Sequence, residues 1–319
     1  MTTGKRALVI GATGGVGGEV AAALLRHGWA VRGLARDPVR AGRGGPAGVD
    51  WVAGDAMREE DVVRAAAGVA LVFHGANPPG YRNWRGLAIP MLRHAIAAAE
   101  AVGARLVYPG SLYVFGPDAG PLLDEAAPQH PRTRKGRIRV EMEAMLHAAS
   151  ARGVRTLVVR AGDFFGPRAP SSWVNTVLLG GGKALRRIDT PERRGIGHAW
   201  AFLPDLGETV AILADRENEL AHEERLHFGG HFLAGRGMAD AVRRVSGGGL
   251  RIRPFRWLPV YLGAPFVTFL REVIEMRYLW RVPLRLDNRR LVALLGAEPH
   301  TALDEAVRAS RDALRGQSG

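Results

Sequence analysis

Three glycines recur at every third position, Gly11-x-x-Gly14-x-x-Gly17, immediately after the apolar run Arg6-Ala-Leu-Val-Ile10. Glycine permits a tight strand-to-helix turn and lets backbone N–H groups approach a diphosphate, while the helix N-terminus adds partial positive charge. In that setting Gly11, Thr13, Gly14, Gly15, Val16 and Gly17 are expected to cradle the pyrophosphate of a dinucleotide, with Gly17 letting the helix pack close on the sheet. A glycine-rich turn without a ligand is the competing reading. Other reactive groups are few. The chain has no cysteine, which removes disulfides, thiolate ligands and thiol nucleophiles. Its ten histidines include no HExxH-type pair, so no metal is expected.

A sheet and helices must hold those glycines, and the apolar pattern supplies both. Strands are expected at 6–10, 30–35, 49–53, 69–73, 105–108 and 154–160, alternating with helices at 18–27, 58–67, 87–102 and 137–151. Continuously apolar strands separated by helices form a parallel sheet covered on each face. The expected fold class is therefore α/β, a doubly wound parallel sheet of Rossmann type with a smaller C-terminal substrate-binding region. Residues 1–165 would form the dinucleotide-binding domain. Residues 166–319 would be mainly substrate domain, with some elements returning to the first. Pro, Gly and Arg crowd residues 166–197, as in loops over a cleft. The aromatic segment with Trp257, Tyr261, Phe266 and Phe269 reads mostly as core packing, in preference to a substrate lid, a subunit contact or adsorption to a membrane surface.

Several further stretches follow in order. Gly54-Asp55-Ala56 comes after the third strand, and Val72-Phe73-His74-Gly75-Ala76-Asn77 closes the fourth. Val107-Tyr108-Pro-Gly-Ser111-Leu-Tyr113-Val-Phe-Gly116, Arg160-Ala-Gly-Asp163-Phe164-Phe-Gly166-Pro167, and Leu286-Asp287-Asn288 with Leu295-Gly296 come later. With the glycine motif, this series resembles the extended short-chain dehydrogenase/reductases, the NAD-dependent epimerase/dehydratase-like branch, over nearly the whole chain. The resemblance implies Asp55 and Ala56 beside the adenine, and Gly75, Ala76 and Asn77 along the cofactor. It implies Ser111 as a catalytic hydroxyl, and Asn77, Tyr113, Asp163, Phe164, His198 and Trp200 on the substrate side.

The second strand speaks to the choice of cofactor. NAD users generally end it with an acid that binds the ribose hydroxyls. In Val31-Arg32-Gly-Leu-Ala35-Arg36-Asp37 that slot holds Ala35, with Arg36 next. A guanidinium suits the 2′-phosphate of NADP(H), and Arg32 would add to it. The alternative is NAD(H), with Arg36 merely exposed and Asp37 on the ribose.

The family's Tyr-x-x-x-Lys pair is missing: none of the three lysines, Lys5, Lys135 and Lys183, follows a tyrosine by four residues. Counting on from Gly116 puts Thr133 in the tyrosine's slot and Arg137 in the lysine's, with Glu141 one turn further. Threonine is too weak an acid to replace a phenol, and arginine keeps its proton. Tyr113 is the expected replacement, with Ser111 polarising the reacting group and Arg137 holding the ribose or an anionic substrate group. Asp163 is a second candidate acid. Against these stand packing of Tyr113 on Phe115, loop capping by Asp163, and a purely structural His198.

The net charge of +13 is carried almost wholly by arginine. The arginines are scattered and no nucleic-acid-binding motif accompanies them, so an anionic ligand is the useful reading and no nucleic-acid partner is expected. The start carries no long apolar leader, and Trp257–Leu270 is too short to span a bilayer and holds Pro259 and Pro265. A cytoplasmic protein without a membrane partner is expected, with a homodimer allowed. The leading expectation is an NADP(H)-dependent oxidoreductase for a small carbonyl, enone or imine-like substrate. The alternatives are a non-catalytic NADP(H)-sensing regulator of NmrA-like type, or a sugar-nucleotide epimerase or dehydratase.

Overall fold

Ala7, Leu8, Val9 and Ile10 are all buried, because consecutive side chains of this strand enter opposite hydrophobic layers. The computed structural model describes residues 5–78 and 83–316, without the side chains of Thr268 and Phe269. The first residues of the chain and the Phe269 side chain thus lie outside the described residues.

In chain order the elements are β1 (Arg6–Ile10), α1 (Gly15–Arg26), β2 (Ala30–Ala35), α2 (Pro38–Gly44), β3 (Asp50–Ala53), α3 (Glu59–Ala65), β4 (Leu71–His74), α4 (Trp84–Val102), β5 (Arg105–Ser111), β6 (Leu122–Leu123), α5 (Arg134–Ala151) and β7 (Thr156–Ala161). They continue as β8 (Asp163–Phe165), β9 (Arg187–Thr190), β10 (His198–Phe202), α6 (Leu203–Asp215), β11 (Glu223–His227), β12 (His231–Leu233), α7 (Gly237–Val245), β13 (Arg251–Pro254), α8 (Trp257–Gly263), α9 (Thr268–Glu275), β14 (Arg285–Leu286), α10 (Arg289–Leu295) and α11 (Leu303–Gly316). The main sheet has seven strands in the order β11-β7-β5-β4-β1-β2-β3, and every neighbouring pair is parallel. This is the doubly wound α/β arrangement read from the sequence.

Helices cover both faces. Ala7 and Val9 pack with α1 and α6 through Val20, Leu24, Leu206 and Val210. Leu8 and Ile10 pack with α3, α4 and α5 through Val62, Leu92, Ile96 and Met142. The chain after residue 165 both completes this layer structure, through α6 and β11, and builds a second core around Phe165, Trp200, Met238, Val242 and Trp280. There β10 pairs with β8 and β12, while β9 pairs with β13.

One boundary difference matters for the site. The sequence pattern starts the fifth helix at residue 137, whereas α5 begins at Arg134. Thr133 is its N-cap, and its Oγ1 accepts the Gly136 N–H at 3.0 Å, so the helix gains a full turn.

Candidate active site

The β1–α1 turn is built for close approach. Gly11 has φ +90, and Gly14 N–H donates to Gly11 O at 2.9 Å. A Cβ on Gly11 would lie 2.7 Å from Ala76 N, and one on Gly17 would lie 2.3 Å from Gly11 O, so neither position admits a side chain. A Cβ on Gly15 would lie 2.6 Å from Arg168 O, which brings the loop after β8 against the same turn. The turn therefore nests on the end of β4 at Gly75 and Ala76. Gly14 caps α1 with no side-chain hydrogen bond, and Thr13 and Gly14 are exposed. The first N–H groups of this helix are thus left for an anion, as a dinucleotide diphosphate requires.

At the carboxyl end of β2, Ala35 is half-buried and Arg36 is exposed. Asp37 is engaged locally: its Oδ1 accepts Arg40 N–H at 3.0 Å and caps α2. Arg32 does not join Arg36. It lies four residues earlier, on β2, and its Nη1 donates to Ala65 O at 2.6 Å and to Ala67 O at 3.3 Å, tying β2 to the end of α3. Asp55 Oδ1 accepts Met57 N–H at 2.9 Å, and Ala56 O accepts from His94 Nδ1 at 2.9 Å, so this turn is firmly held beside β3. Asn77 Oδ1 accepts the Trp84 indole N–H at 2.6 Å, fixing the loop after β4 to the start of α4.

The end of β5 delivers Ser111, whose Oγ accepts Tyr113 N–H at 3.2 Å inside a single helical turn, Leu112–Val114. That turn aims the Tyr113 hydroxyl at β8, where it donates to Asp163 Oδ1 at 2.6 Å. The other carboxylate oxygen, Oδ2, lies 2.9 Å from His198 Nε2 on β10. His198 Nδ1 faces Leu279 O at 3.1 Å and must donate to it. His198 is clamped by Trp280, with ring centroids 3.9 Å apart and planes 4° apart. The Tyr113 ring packs against the cluster that contains Phe115, as the competing reading had it, while its hydroxyl reaches Asp163.

Alternation along β8 separates its residues. Asp163 points to Tyr113 and His198, while Phe164 points the other way and packs on the main-sheet core. Trp200 is fully buried beneath His198, with centroids 4.5 Å apart, and belongs to the second core. The sequence placed both on the substrate side; Trp200 is enclosed in the second core, while Phe164 is half-buried against the main-sheet core.

The register of α5 also differs from the count along the chain. Arg137 is exposed and its Nη1 donates to Arg132 O at 3.0 Å; Glu141 pairs with Arg85 on the surface at 2.9 Å. Thr133 is engaged as the cap. The face turned inward carries Lys135, Arg139 and Glu143, because Ile138, Met142 and Leu146 occupy the buried side of the helix. Lys135 is almost fully buried; its Nζ donates to Glu272 O at 3.0 Å and pairs with Glu272 Oε2 at 3.3 Å. Burial pulls its pKa below the usual lysine range, opposed by the carboxylates of Glu272, Glu275 and Asp163. Arg139 lies over the rings of Trp84, at 5.0 Å, and Tyr108, at 5.6 Å, and donates to the Tyr108 hydroxyl. Glu143 and Arg160 form a buried pair at 2.7 Å. Lys135 and Arg139 escaped sequence reading, although the apolar spacing of Ile138, Met142 and Leu146 carries the helix phase that would have found them.

Tyr278 completes the surroundings. Its hydroxyl donates to Phe115 O at 3.1 Å, and burial, with the Asp163 charge, pushes its pKa up. His227 and His231 are buried structural histidines on β11 and at the start of β12.

Comparison with known proteins bears on this arrangement. The sequence profile of the NAD-dependent epimerase/dehydratase family matches residues 7–185. A 3-diazoavenalumate denitrifying reductase from a Streptomyces species is 31% identical over 180 residues, 51% of this chain and 57% of the reductase. The match thus spans little more than half of that relative's length. UDP-glucuronic acid 4-epimerase from Bacillus cereus, solved with UDP-glucuronic acid and NAD, superposes with a TM-score of 0.77 over 98% of this chain and 99% of that one, at 15% identity. A putative epimerase from Burkholderia cenocepacia J2315 gives a TM-score of 0.76 over 98% of each chain, at 18% identity. At such identities the superpositions establish a shared fold.

Proposed function

The chain belongs to the NAD-dependent epimerase/dehydratase family, and from that premise we propose that it is an NADP(H)-dependent oxidoreductase acting on a small carbonyl, enone or imine-like substrate. The observation that carries the reading is the hydrogen-bonded series Tyr113–Asp163–His198, with Ser111 at the start of the turn that carries Tyr113. A regulator that only senses its nucleotide has no use for a phenol bonded to a buried carboxylate and imidazole, which favours an enzyme. The similarity to a reductase supports the same side.

A nicotinamide dinucleotide, when bound, would supply or take the hydride. Gly11–Gly17 would hold its diphosphate, Arg36 would bind the 2′-phosphate, and Asp55 with Ala56 would flank the adenine. Gly75, Ala76 and Asn77 lie along its path. Ser111 donates a hydrogen bond to the reacting oxygen or nitrogen of the substrate, and Tyr113 transfers a proton to it. Asp163 and His198 hold the phenol in place for that transfer, and Tyr113 regains its proton from solvent after product leaves. Residues from 166 onward form mainly the substrate side, with α6 and β11 returning to the dinucleotide-binding part.

A sugar-nucleotide epimerase or dehydratase is the second reading. It is favoured by the family match and by a cavity of about 290 Å³ lined by Thr176, Val177, Arg187, Asp189, Phe255 and Arg256, whose two guanidinium groups suit a diphosphate. In that reading Tyr113 acts as the base.

The experiment is calorimetric titration with NADPH, NADH and UDP, followed by turnover on a panel of aldehydes, ketones, enones and imines. NADPH binding, no UDP binding and turnover of a panel member support the oxidoreductase. UDP binding with a silent panel turns the choice to the epimerase, and no nucleotide binding at all removes both.

A further inference from the structure

The C-terminal aromatic segment splits into a buried root and an exposed tip. Val260, Ala264, Met276, Leu279 and Trp280 are buried, as core packing requires. Leu258, Leu262 and Phe266 are not: they are 68%, 67% and 88% exposed, spaced four residues apart along α8 and the turn that follows it. Tyr261 and Val267 extend the same surface at 40% and 46%. The hairpin of α8 and α9 is tight, since a Cβ on Gly263 would lie 2.6 Å from the Leu270 side chain. Its root is fixed to the protein floor where Lys135 bonds Glu272. A rigid hairpin therefore presents an apolar tip that the fold itself does not cover.

Basic residues predominate along the segment that carries this tip. Between residues 250 and 271 there are four arginines, Arg251, Arg253, Arg256 and Arg271, all exposed, and no aspartate or glutamate. Arg277 lies over the rings of Trp257 and Tyr261, at 5.0 and 5.3 Å. Exposed apolar side chains, amphipathic aromatics and guanidinium groups in one segment are the composition that suits the interface of an anionic bilayer. A nucleic acid would instead set the phosphates against Leu258, Leu262 and Phe266. Among the described residues no helix is long and apolar enough to cross a membrane. Contact is then confined to the interface.

We propose that the α8–α9 hairpin docks this protein on an anionic membrane surface, inserting Leu258, Leu262 and Phe266 while Arg251, Arg253 and Arg256 meet the lipid headgroups. The expectation of no membrane partner rested on the lack of a spanning segment and on core packing of most of these residues; the packing describes the root of the hairpin and not its tip. The inference is independent of the chemistry at Asp163.

The test is flotation of the full chain with phosphatidylcholine vesicles, with and without phosphatidylglycerol. Partition onto the anionic vesicles is expected to exceed that onto phosphatidylcholine by about tenfold or more at low salt. The double variant Leu262→Asp/Phe266→Asp lowers it by at least about tenfold. Arg253→Gln/Arg256→Gln removes most of the preference for anionic lipid, by about fivefold per charge. Thermal melts matching the parent show that both variants are folded, and the arginine pair stands alone if the aspartates disturb the hairpin. No flotation, or flotation unchanged in both variants, overturns the proposal. So does a self-association seen by sedimentation velocity that Leu262→Asp/Phe266→Asp abolishes, since a second copy then covers the tip.

Discussion

The Tyr113 hydroxyl donates to Asp163 Oδ1 at 2.6 Å, joining two residues 50 positions apart through the ends of β5 and β8. With His198 on the other carboxylate oxygen, this contact fixes the position of the phenol. Tyr113→Phe removes the hydroxyl while keeping the ring. It is expected to lower kcat by about 100-fold or more, with the NADPH dissociation constant nearly unchanged. Steady-state kinetics on the best substrate of the panel, with calorimetry alongside, checks this. An undiminished kcat would assign the proton transfer to another group.

Arg36→Ala separates the two cofactors. Losing a charge-assisted contact to a phosphate is expected to weaken NADPH binding by about 10- to 100-fold. NADH, which lacks the 2′-phosphate, should bind the variant as it binds the parent. Arg32→Ala serves as the control, because its guanidinium holds the Ala65 and Ala67 carbonyls. Equal loss for both nucleotides in Arg36→Ala would mean that Arg36 supports the fold of the loop rather than the phosphate.

The phase of α5 is open to mutation. Arg137→Ala is expected to leave the urea midpoint, nucleotide binding and turnover at parental values. Lys135→Met breaks a buried pair with Glu272 and is expected to cost about 3 kcal/mol in equilibrium unfolding. If instead Arg137→Ala impaired nucleotide binding and Lys135→Met were silent, the chain count from Gly116 would hold over the helix geometry.

Acid sensitivity follows from the buried histidines. Burial and the Arg160 guanidinium hold His227 down to about 4, and burial with His300 holds His231 to about 4 as well. His227 donates from Nδ1 to Leu123 O and faces Arg160 from Nε2 at 3.2 Å, so a second proton would point at a cation. An unfolded histidine titrates near 6.5. Between those values the unfolded chain binds more protons, and stability rises with pH. The protein should therefore keep full stability above about pH 7 and lose it steadily as pH falls from about 6.5 to 4, His227 alone accounting for on the order of 3 kcal/mol by pH 4. Urea melts of the parent and of His227→Gln measure this. A parental stability that stays flat over that window would falsify the assignment.

Much of the fold and the cofactor end of the site could be read along the chain. The turn at Gly11 depends on local backbone conformation and spacing, and Asp37 caps its helix within three residues. The all-buried Ala7–Ile10 strand announces a sheet covered on both faces. The catalytic end was less legible. Ser111, Tyr113 and Asp163 come together as their types suggested, whereas Arg137, Phe164 and Trp200 do not reach them.

Periodicity and glycine placement alone determined the parallel sheet and the tight glycine turn between β1 and α1, because each depends on neighbours within a few residues. Tertiary structure decided which face of α5 looks inward, which side of β8 carries Asp163, and that His198 meets it across 35 residues. A helix turns 100° per residue and a strand 180°, so a shift of one or two positions changes every side chain that reaches a site. Only the packing of Ile138, Met142 and Leu146 against the sheet, and of β8 against β10, fixes that phase.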